Sequence, residues 1–139
     1  MLAIKEKNMT FAKFGPGGNG ALFKEQGGRS TVEAPAWLSS FGLDAYEYEA
    51  GQGVAASEAS LRAIGEKARE HGIQMSLHAP YFISLSGVDP EKRLKSIDYI
   101  KKSIWAAELL GAVPPKIIMY TYKTTSIMPS HFAFIGINP

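Results

Sequence analysis

Apolar positions in this chain switch between a period of two and a period of three to four, and the switches divide it into strand and helix segments in turn. Ile73, Met75 and Leu77 alternate with Gln74 and Ser76, the pattern of a strand with one buried face, and Gly72 suits the stop of a preceding helix. His78 closes this strand, because Pro80 lacks the N–H that a ladder needs and disfavours helical geometry at Ala79. Residues 11–14 and 45–49 alternate in the same way, and residues 116–122 form a candidate fourth strand.

The intervening segments carry helical spacing. Pro35 suits a first turn, and Trp37, Leu38 and Phe41 share one face of a short helix that Gly42 ends. Ser57 caps a second helix to about residue 71, with Leu61, Ile64 and Ala68 inward and Arg62 paired with Glu66 outside. Asp89 and Pro90 open a third to about residue 110, where Leu94, Ile97, Ile100, Ile104, Ala107 and Leu110 trace an apolar stripe that Gly111 closes. The order is β-α-β-α-β-α-β, which predicts parallel strands joined by right-handed crossovers with the helices on one side. Residues 123–139 show no periodicity. Without a linker or a longer repeat, residues 1–139 are expected to form a single domain.

Composition narrows the class without identifying it. With 139 residues, 45% hydrophobic and 20% charged, the chain has ordinary globular composition. No run reaches the roughly 18 apolar residues of a membrane span, and Lys5, Glu6 and Lys7 stand where a signal peptide has its apolar stretch. These features predict a cytoplasmic protein with no membrane partner. The chain has no cysteine, so a metal would be held by His, Asp or Glu. A net charge of +2 does not argue for nucleic acid, and residues 31–60 hold five acids and no base, a segment that repels phosphate unless a metal intervenes.

Three groups carry candidate chemistry. His78 stands at the C-terminal end of a strand, where α/β proteins keep their ligands, although a lone histidine there also fits a hydrogen-bonded core. Glu47 and Glu49 share a strand face and can bind metal, share a proton or simply be solvated. Gly15, Gly17 and Gly20 spell a G-x-G-x-x-G pattern, but Pro16 interrupts it, no long amphipathic helix opens at Gly20, and no acid-ended strand follows at the needed distance. A dinucleotide site is excluded, leaving a plain connection or a loop that lets an anion approach the backbone.

Together, Phe14-Gly15-Pro16-Gly17-Gly18-Asn19, Leu43-Asp44-Ala45-Tyr46-Glu47-Tyr48, Leu77-His78-Ala79-Pro80-Tyr81-Phe82-Ile83-Ser84-Leu85 and Asp89-Pro90-Glu91-Lys92-Arg93 resemble the N-terminal half of endonuclease IV, a xylose-isomerase-like TIM barrel, over about residues 11–112. The resemblance implies a partial (β/α)8 barrel with three to four parallel β-α units. It also implies a family chemistry in which a trinuclear zinc cluster at the strand ends cuts abasic-site DNA on the 5′ side of the lesion. By this resemblance His78 takes the place of the first zinc-ligating histidine, and Tyr81 and Phe82 that of the side chains wedged into the minor groove. Gln52 lies in the loop after the second strand, where the family contacts DNA, without the arginine carried there.

Beyond residue 112 the likeness stops. The His-Pro-Gly expected after the fourth strand is replaced by Tyr120-Thr121-Tyr122-Lys123, and residues 113–139 form a divergent tail. A complete barrel takes about 250 residues. The expectation is a truncated barrel that does not retain zinc and is inactive by itself. A fragment of a sugar isomerase or epimerase of the same superfamily, or a non-catalytic half-barrel that self-associates through its exposed edge, remain as alternatives.

Overall fold

The computed structural model describes residues 12–112 and the backbone of residues 117–118. Helix α1 (Ala21–Glu25) and a single 3-10 turn (Thr31–Glu33) lead into α2 (Ala34–Ser40). They are followed by β1 (Ala45–Glu49), α3 (Glu58–Glu70), β2 (Gln74–His78), α4 (Pro90–Leu109) and β3 (Ile117–Ile118). The sheet order is β1-β2-β3 and every described pair is parallel, with Ala45 opposite Gln74, Glu49 opposite His78, and His78 opposite Ile118. From β1 onward strand and helix thus alternate in the expected order. The fourth strand expected over residues 116–122 is described at its Ile117–Ile118 pair, and its remainder lies outside the described residues.

The first expected strand is displaced. Residue 11 lies outside the described residues, and residues 12–14 form no strand. The chain instead runs beside β1 a few residues later. Phe14 O accepts from the amides of Asp44 and Ala45, Pro16 O accepts from Glu47 N at 3.0 Å, and Gly18 N donates to Glu47 O at 2.9 Å. Gly17 and Glu47 form a parallel bridge, so residues 14–18 take the place of a leading strand. Pro16 offers no N–H and so cannot complete the ladder, which is why the pairing stays short of a regular strand. A Cβ at Gly15 would fall on the Ala45 carbonyl, a close approach that the alternation of apolar residues does not report.

The helix layer packs on one face of the sheet. Met75 and Leu77 of β2 and Tyr46 of β1 are buried in one core with Leu38 of α2, Leu61, Ile64 and Ala68 of α3, and Ala106 and Ala107 of α4. Helix α3 begins at Ser57, whose hydroxyl accepts from Ser60 N, and α4 begins at Asp89, whose carboxylate accepts from Glu91 N at 2.9 Å. α1, which the sequence pattern did not single out, buries Phe23 with its ring edge-on to Trp37.

Two expectations for the helices are corrected. Arg62 pairs with Glu58 at 2.7 Å, not with Glu66. This order places the acid one turn N-terminal to the base, the better arrangement on a helix. On α4 the expected stripe is only partly the buried face: Ala107 and Leu110 are buried, but Leu94 is 64% exposed and Ile97 and Ile104 are also exposed. Ser96, Ser103 and Ala106 complete the inner face. Their small side chains let the helix lie close to its neighbours, and the two hydroxyls return hydrogen bonds to Lys92 O and Tyr99 O at 2.8 Å each, so burial leaves no polar atom unsatisfied.

Candidate functional site on the C-terminal rim

Parallel strands put all their C-terminal ends on one rim, and here that rim is built from residues 17–19, the loop after β1 and the loop after β2. Ala50 N donates to His78 O at 3.0 Å and Tyr81 N to Gly51 O at 3.1 Å, tying the last two together. Tyr46 OH donates to Asn19 Oδ1, and the Asn19 amide donates to Thr31 Oγ1, each at 2.9 Å, which fixes the first loop against β1. Burial pushes the Tyr46 hydroxyl far above its ordinary range, with nearby Tyr48 and Glu49 adding to the effect, so it remains a donor at any physiological pH.

Alternation along the strands divides the side chains between two faces. Tyr46, Met75 and Leu77 point to the helices, and Glu47, Glu49, Gln74, Ser76 and His78 share the opposite face, the one that lines the lumen when such a sheet closes. A Cβ at Gly17 would lie 3.2 Å from Glu49 Oε1 and 3.5 Å from Glu47 Oε1, so both carboxylates gather over the glycine loop. His78 is only 5% exposed. Its Nδ1 lies 2.9 Å from Ala79 O, and since a carbonyl can only accept, Nδ1 is the donor in this bond. Metal-bound histidines are commonly oriented by such a bond.

That orientation does not make a complete metal site. Among the described residues no group of three or more His, Asp or Glu side chains converges as metal ligands, whereas a catalytic zinc takes about three from the protein. His71 caps the far end of α3, and His131 lies outside the described residues. The zinc chemistry implied by the sequence resemblance therefore does not fit the described residues, and no step is derived through it.

Glu47 has its own electrostatic signature. Burial raises its carboxyl above the usual range, His78 pulls it back and Glu49 raises it further. A raised carboxyl contributes stability that is present at low pH and is lost as pH climbs through the folded value. Glu47→Gln should therefore melt like the parent at low pH and above it at neutral pH. Thermal melts across pH check this, and a parent curve that gains stability relative to the variant on rising pH would reverse the assignment.

Tyr81 and Phe82 stand on the rim directly beyond His78, 42% and 47% exposed. The Tyr81 ring lies 4.9 Å from the His78 ring and covers Gly51, where any Cβ would strike it. Phe82 sets its ring edge-on to Tyr99 of α4 at 4.6 Å. Each therefore rests one side on the protein and offers the other to solvent. Gln52 shares a cleft with Tyr99 and Lys102 of α4. Tyr99 carried no sequence signal, and Lys102, with Lys92, Arg93, Lys95 and Lys101, reads from the sequence as an exposed helix face that needs no nucleic acid.

Comparison with known proteins agrees with this architecture. A family model described as xylose isomerase-like TIM barrel matches residues 35–115, more than half of the chain. Among solved structures, a D-psicose 3-epimerase, determined in the presence of D-fructose, superposes with a TM-score of 0.53 at 19% identity. The match covers 60% of this chain and 30% of the epimerase, so the chain spans under a third of that relative's length. No curated protein sequence matches. Among the described residues no helix is long and apolar enough to cross a membrane.

Proposed function

The chain belongs to the xylose isomerase-like TIM barrel family, and from that premise we propose that it carries the lesion-facing rim of an endonuclease IV-like protein acting on abasic-site DNA. The single observation that carries this reading is the pair Tyr81 and Phe82, adjacent and half-exposed just beyond a buried strand-end histidine. Rigid aromatic rings supported from behind and open in front are suited to enter a base stack, and an abasic step is the least costly place to do so. His78 would serve as a zinc ligand of the assembled site, with its proton on Nδ1.

The test is binding. The chain should prefer a duplex containing a tetrahydrofuran abasic analogue over an intact one, and replacing Tyr81 and Phe82 with Ala should abolish the preference. Both rings keep about half their surface in water, so the double variant should melt within a few degrees of the parent. Equal affinity for both duplexes in the parent chain would reject the proposal.

A second reading has specific support. The lumen face presents Glu47, Glu49 and His78, an acidic surface unfriendly to phosphate but well suited to sugar hydroxyls, and the solved relative is an epimerase determined with a sugar. In this reading the chain is part of a sugar isomerase or epimerase. D-fructose or D-psicose would shift the amide resonances of residues around Glu47 and His78, whereas abasic DNA would not.

A further inference from the structure

The cleft that joins Gln52, Pro80, Tyr99 and Lys102 has a volume of about 200 Å³ and opens beside the wedge residues. A second, broader cleft of about 420 Å³ shares Tyr99 and Lys102 and extends along α4 to Lys95 and Asp98. We infer that these clefts form one phosphodiester-binding track on α4, which holds the DNA backbone of the strand flanking the step that Phe82 enters. The inference rests on the abasic-DNA reading and adds to it the place where phosphate is held.

Spacing, charge and position each support the track. Lys95 and Lys102 are seven residues apart, so they leave the same side of α4 about 10 Å apart along its axis. Phosphates on one DNA strand wind about the axis as well as rising about 3.4 Å per nucleotide, so two flexible ammonium groups rooted about 10 Å apart reach phosphates one or two steps apart on the same strand. Asp98 between them leaves a net charge of +1 in the cleft, while the lumen face carries Glu47 and Glu49. A phosphate backbone is therefore repelled from the lumen and drawn to α4. Phe82 rests edge-on against Tyr99, a wall of both clefts, so a strand displaced by the wedge meets Lys102 and the Gln52 amide directly. Lysines bind phosphate as point charges and read no base, so the track positions DNA without sequence preference.

The experiment measures binding of the chain by fluorescence anisotropy to an intact duplex and to one with a tetrahydrofuran abasic analogue, from 50 to 200 mM salt. The variant K95Q/K102Q is compared with the charge-matched K24Q/K101Q, and all proteins are checked by thermal melting. The track predicts that K95Q/K102Q weakens both duplexes equally, about tenfold at the lowest salt, and lowers the log–log salt slope by about 2, one per lost phosphate contact. K24Q/K101Q should change little. Equal effects of the two variants, or an unchanged slope, would overturn the track. A lysine effect as predicted with no abasic preference in the parent chain would uphold the track and reject the endonuclease reading. Failure to bind either duplex at 50 mM salt would overturn both.

Discussion

Incubated with zinc and a duplex carrying one abasic site, the 139-residue chain is expected to leave the strand uncut. Phosphodiester hydrolysis without a catalyst is among the slowest of biological reactions, and each factor of ten in rate needs about 1.4 kcal/mol of transition-state stabilisation. Zinc lowers the pKa of a bound water to about 7 and adds several kcal/mol of charge stabilisation, but only where the protein holds it. His78 stands at the strand end with Nδ1 bonded to Ala79 O, yet Glu47 and Glu49 do not complete a ligand group with it among the described residues. Water activation and leaving-group stabilisation would then be lost together, and the rate should fall to background. A denaturing gel resolves the outcome. Zinc-dependent cleavage that disappears in His78→Ala would show a working site, completed by a second copy or by residues outside 12–112.

Much of the strand and helix order was legible because it depends on local patterning. Alternation marked β1 and the strand leading to His78, Ser57 and Asp89 marked two helix starts, and Pro80 fixed the point where the rim loop begins. These signals depend on residues near one another in sequence. The misplaced features depend on elements distant in sequence. The leading strand shifted from residues 11–14 to 14–18 because its partner is the backbone of β1, and glycines that allow such an approach carry no hydrophobic signal. The inner face of α4 was misjudged for a related reason: a periodicity count rewards Leu and Ile, whereas close neighbours selected Ser96, Ser103 and Ala106. At the site, the resemblance located His78, Tyr81 and Phe82 on one rim, but Tyr99 and Lys102 come from the following helix and join it only through tertiary packing.

The same close packing predicts the largest stability effect. Gly65 lies in the middle of α3, where a glycine costs about 1 kcal/mol relative to alanine, so by helix propensity alone Gly65→Ala should stabilise. The tertiary contact argues the reverse. A Cβ at this position would lie 2.6 Å from Leu109 O and 2.9 Å from both the carbon and oxygen of the Leu110 carbonyl. These atoms are backbone at the end of α4, and they cannot swing aside as a flexible side chain could. The clash can be relieved only by separating α3 from α4, which would loosen the contacts of Leu61, Ile64 and Leu110 in the shared core. Overpacking of a buried seam typically costs about 1–3 kcal/mol, which exceeds the propensity gain, and Gly65→Val should cost still more because it adds two methyl groups and a β-branch. Urea denaturation should therefore rank the proteins parent, Gly65→Ala, Gly65→Val in falling midpoint. An alanine variant as stable as the parent or more so would mean that propensity prevails at residue 65 and that α3 and α4 do not meet there backbone to backbone.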